Sequence, residues 1–68
     1  MSHTATIAST AHKTAAAEHQ ACAEHHLKAA QCHDAADPAE AQVNAAHAMK
    51  CCQTATKNTA TACECSAN

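Results

Sequence analysis

The sequence predicts an all-α protein, an antiparallel helical hairpin that pairs with a second copy to form a four-helix bundle. Three observations predict it. The 68 residues contain no glycine and one proline, so turn punctuation is almost missing. Ala, Glu, Lys and Gln are abundant, and all four favour helix. Small residues also recur at a spacing of seven in both halves, a period that keeps a stripe on one side of a helix.

The first helix is expected from about Ser9, or as early as Thr4, to about Asp34. Along it Ala8, Ala15, Cys22, Ala29 and Ala36 form one stripe, a surface that lets another helix approach closely. It is flanked on one side by His12, His19, His26 and His33, and on the other by Ala11, Glu18, His25 and Cys32. The break follows at Asp34-Ala-Ala-Asp-Pro38. Asp37 suits a helix N-cap, Pro38 the first helical position, and Glu40 completes an Asp-x-x-Glu variant of the capping box. Pro38 also disfavours helical dihedrals at Asp37.

The second helix is expected from Pro38 to about Ala62, its end weakened by the β-branched Thr54, Thr56, Thr59 and Thr61. The tail Cys63 to Asn68 is expected to fray. Ala41, Ala48, Ala55 and Ala62 make a matching stripe, flanked by Asn44, Cys51, Asn58 and Cys65 and by Ala45, Cys52 and Thr59. Its inward face is open at this stage, because His47 lies about 100° from Ala48. So short a link makes the helices antiparallel neighbours, and residues 1–68 read as one small domain.

Burial alone is too weak to hold such a hairpin. There is no aromatic residue, and most of the 47% counted as hydrophobic is 21 alanines. At roughly 25 cal/mol per Å² they cannot offset an ordering cost of about 1.5 kcal/mol per residue. Small scaffolds in this position add a disulfide, a metal or a partner subunit, hence the expected second copy. Six cysteines and seven histidines supply the side chains for the first two.

Charge and composition narrow the function classes. A net charge of −2, four lysines and no basic cluster give nothing to attract nucleic acid. The stretch MSHTATIAST has neither a basic segment nor an apolar run, so neither a secretory leader nor a membrane span is expected. For a complete chain this implies the cytoplasm, where thiols stay reduced and metal binding is favoured over disulfides.

The strongest constellation spans the hairpin. Around a turn at Ala36 and Asp37, Cys22 lies level with Cys51 and His26 with His47, and residues four apart share a helix face. Cys22, His26, His47 and Cys51 are therefore the first-choice ligands, a set suited to tetrahedral Zn(II) or to Cu(I). His19, His25, Cys32, His33 and Cys52 are candidates for further sites or for support. Glu18, Glu24 and Glu40 are positioned to orient imidazoles from outside. Four histidines at a strict period of seven add weight, since unpartnered burial of such a stripe is costly. Folding is then expected to be coupled to metal loading.

Two other classes compete with metal binding. A disulfide from Cys22 or Cys32 to the second helix would make a structural or protein-interaction module. Catalysis is not expected: His-Glu-x-x-His is missing, Glu18, Glu24 and Glu40 lack a His three residues on, and no large side chains wall a pocket.

The pattern resembles the small bacterial metal-binding helical bundles, namely the cysteine-lined copper storage proteins and the His-heptad small metal-binding proteins. The likeness covers about residues 12–52 and is one of pattern. Cys22-His26 and His47-Cys51 stand where the copper storage proteins have Cys-x-x-x-Cys pairs, a departure that favours Zn(II) over Cu(I). The resemblance implies sequestration or buffering of metal inside a four-helix bundle. Cys22 and Cys32 also have the spacing found in oxidised helical hairpins of the mitochondrial intermembrane space. Neither Cys51 nor Cys52 has a cysteine ten positions later to complete that pattern.

Overall fold

The structure is a computed structural model and describes residues 3–67. Two helices, α1 (His3–Asp34) and α2 (Pro38–Ala67), pack against each other as a hairpin, and no strand occurs among the described residues. Both helices exceed the expected lengths. α1 starts at His3, one residue before the earlier expected start at Thr4, and α2 runs five beyond Ala62 through most of the cysteine-rich tail. The threonines sit within α2 rather than ending it. Thr54, Thr56 and Thr61 each donate a side-chain hydrogen bond to the carbonyl four residues earlier, so their hydroxyls are satisfied within the helix.

The link between the helices is built from two local signals. Ala36 N–H donates to the His33 carbonyl and Asp37 N–H to the Cys32 carbonyl, the paired bonds of a Schellman stop. Ala36 occupies its left-handed position with φ 57°, a conformation that costs an alanine about 1–2 kcal/mol. Asp37 then caps α2: its Oδ1 accepts from Glu40 N–H at 3.2 Å, and its carbonyl takes the first helical bond, from Ala41. Only half of the capping box forms, because the Asp37 N–H that Glu40 would accept is already used by Cys32.

Where the helices meet, the period of seven becomes a seam. Ala15, Cys22, Ala41, Ala48, Ala55 and Ala62 are buried, the last four at 0–1% exposure. Half-buried beside them lie Glu18, His25 and Cys32 on α1, and Asn44, Cys51, Asn58 and Cys65 on α2. Thus Ala48 faces inward and settles the orientation of α2, with His47 turned to the edge. Alanine brings the backbones close: the α-carbons of Cys22 and Cys51 are 5.4 Å apart.

A seam of methyl groups buries little. Among the described residues no large side chain is fully buried, and Ile7, Leu27, Val43 and Met49 are all exposed. The surface totals 4825 Å², against about 4,000 Å² for a compact chain of this mass. The hairpin is a rod of 52 × 16 × 11 Å. Shape and composition agree that burial alone is weak and that a disulfide, a metal or a partner subunit must add a link.

Candidate metal centre

That link is a disulfide between Cys22 and Cys51, 29 residues apart in sequence. The two cysteines are level, as the hairpin register requires, and each sits on the seam side of its helix. Neither has a thiolate to offer while the bridge is closed. Cys51 Sγ lies 3.4 Å from the Glu18 carbonyl oxygen, a contact that only a thiol can convert into a hydrogen bond.

The histidines divide by one residue of phase. His25 follows Cys22 by three positions and is half-buried; His26 is exposed. His25 meets His47 in an edge-to-face contact with ring centroids 5.4 Å apart. Its Nδ1 is buried without a hydrogen-bond partner, an omission that costs about 1–3 kcal/mol. The expected quartet therefore separates. Cys22 and Cys51 are bridged, His47 pairs with His25, and His26 turns outward, its Nε2 3.6 Å from Cys52 Sγ. The cause is helix geometry: consecutive residues differ by about 100°, which moves His26 from the interface to its rim.

The histidine heptad forms a ladder along that rim. His12 hydrogen-bonds Ser66 Oγ at 2.6 Å and His19 hydrogen-bonds Thr59 Oγ1 at 2.8 Å, with His26 and Cys52 as the next rung. Each step of seven along α1 matches a step of seven back along α2. His33 would next face Ala45, which has no polar group to meet it. The period of seven was present in the sequence at Cys52, Thr59 and Ser66, but these lie five positions beyond the residues that the hairpin register sets level with the histidines.

The remaining cysteines are free: Cys32 and Cys65 half-buried, Cys52 and Cys63 exposed. Cys32 Sγ accepts a long contact of 3.8 Å from Asn44 Nδ2. Beside the His26–Cys52 rung runs an open groove of about 530 Å³, lined also by Ala45, Met49, Gln53 and Thr56.

With Cys22 and Cys51 closed on each other, thiols and imidazoles meet in pairs. Among the described residues no three His, Cys, Asp or Glu side chains are gathered to hold an ion. No helix of the described residues is long and apolar enough to cross a membrane. No protein-family model matches the chain, and neither a curated protein nor a solved structure matches it.

Proposed function

We propose that the reduced chain binds a soft or borderline transition metal, Cu(I) or Zn(II), for storage, buffering or detoxification. One observation carries the reading: the soft ligands of the two helices meet across their interface, Cys22 with Cys51, His25 with His47, and His26 with Cys52. Thiolate and imidazole are the ligand types these metals prefer. A cytoplasmic setting would keep the thiols available. Pairing with a second copy into a four-helix bundle would cover the exposed Ile7, Leu27, Val43 and Met49. The test is titration of reduced apoprotein with Zn(II) and Cu(I), reading stoichiometry and helix content together. Tight stoichiometric uptake supports storage or buffering, and no uptake removes it.

The disulfide favours a second reading, a stapled helical hairpin that serves as a structural or protein-interaction module. Mass spectrometry with and without reductant separates the two. A chain two mass units light for each bridge that, once reduced, still takes up no metal belongs to the stapled module.

A further inference from the structure

We infer that the Cys22–Cys51 disulfide is the closed state of a redox-gated metal site, whose ligands after reduction are Cys22, His25, His47 and Cys51. The inference rests on the metal-binding reading and adds which histidines bind and what opens the site.

Four features of the interface support it. Cys22 and His25 are three apart on one helix face, and His47 and Cys51 four apart on the other, so each helix offers one sulfur and one imidazole within a single turn. The two sulfurs are bonded to each other, which shows that both reach one point between the helices. The imidazoles also converge. Two rings on one tetrahedral ion, with nitrogen at about 2.0–2.1 Å, have centroids about 5 Å apart, and His25 and His47 stand at 5.4 Å. Finally, His25 Nδ1 is buried with no partner, as befits a nitrogen whose acceptor site is filled only in the other state.

The neighbourhood permits the change. Ala48, level with His25, is fully buried, and Ala29 follows on α1, so two seam positions near the ring pair carry only methyl groups. Two thiolates on one zinc at about 2.3 Å stand about 3.8 Å apart, so the sulfurs must part once the bridge opens. Rotation about their side-chain torsions provides this without moving the helices.

The chemistry balances in two steps. A dithiol reductant gives two electrons and two protons to the disulfide, producing two thiols on the chain and a disulfide on the reductant. Zn(II) then binds both sulfurs as thiolates, releases two protons, and takes one neutral nitrogen from each imidazole. A small-molecule disulfide takes two electrons from the two thiolates and two protons from solvent, leaves as two thiols, and so restores the bridge and expels the ion. Each state joins α1 to α2 at the same level, by a sulfur–sulfur bond or through the metal.

The test uses the full chain with Cys32, Cys52, Cys63 and Cys65 replaced by serine, and Co(II) as a spectroscopic probe, with Zn(II) displacing it. The reduced protein is expected to bind one Co(II) with the intense absorption of a tetrahedral thiolate site, and the oxidised protein to show none. His25→Ala and His47→Ala should each weaken binding at least tenfold, whereas His12→Ala should leave it unchanged. Alanine preserves helix, and the melting of each oxidised variant checks that the hairpin persists. Equal binding by oxidised and reduced protein overturns the gate. Loss of binding in His26→Ala but not in His25→Ala overturns the ligand assignment. No uptake of Co(II) or Zn(II) by the reduced parent chain in any form removes the metal-binding reading itself.

Discussion

Replacing both Cys22 and Cys51 with alanine isolates what the cross-link contributes. Alanine already occupies the neighbouring seam positions Ala15, Ala29, Ala48 and Ala55, so the double variant keeps the close approach and removes only the bond. A link closing a loop with a sequence separation of 29 restricts the unfolded chain by about 3.6 kcal/mol in the chain-entropy model. Against this, alanine is the better helix former, and two substitutions return about 1 kcal/mol. The net loss is therefore about 2.5 kcal/mol. At about 2.1 cal/mol/K per residue for the unfolding entropy, this lowers the melting temperature of the 68-residue chain by roughly 18 °C. Thermal unfolding followed by far-UV circular dichroism, with a metal chelator and no reductant, measures it. Adding reductant should lower the parent chain by about 3.6 kcal/mol, to just below the double variant, and leave the double variant where it is. A double variant melting within about 3 °C of the oxidised parent would show that the alanine seam holds the helices unaided.

Four further substitutions probe the fold. Ala36→Gly relieves the left-handed alanine at the end of α1 and should stabilise the hairpin by about 1 kcal/mol, seen as a higher urea midpoint with an unchanged slope. Asp37→Ala removes the acceptor for Glu40 N–H and should cost about 1 kcal/mol in the same assay. Ala48→Leu forces a large side chain into a fully buried seam position and should cost about 1–3 kcal/mol or more, while Ala46→Leu on the exposed face should stay within about 0.5 kcal/mol of the parent.

Much of the hairpin was legible in the residues, and what was not has a physical cause. The start of α2 could be read because Asp37, Pro38 and Glu40 each favour one position in a helix's first turn. The left-handed Ala36 could not, since alanine carries no sign of that conformation and tertiary closure imposes it. The end of α2 reads too short because intrinsic preference counts threonine against helix, whereas Thr56 and Thr61 bond their hydroxyls to the helix backbone.

At the site, the level shared by Cys22 and Cys51 followed from the turn alone. The choice between His25 and His26 did not. Both follow Cys22 within one turn, and only the contact between the alanine stripes decides which ring enters the interface. Nor does residue order record whether two facing sulfurs are bridged, because that depends on the redox state around them.

The claim common to these results is that α1 and α2 are joined through Cys22 and Cys51 in either redox state. Native mass spectrometry of one preparation, oxidised and then reduced in the presence of Zn(II), tests it most directly, with melting measured on the same samples. The account predicts a metal-free chain two mass units light for the Cys22–Cys51 bridge, then a reduced chain carrying zinc, both melting well above the reduced, metal-free form. A reduced, metal-free chain as stable as the oxidised one would contradict it.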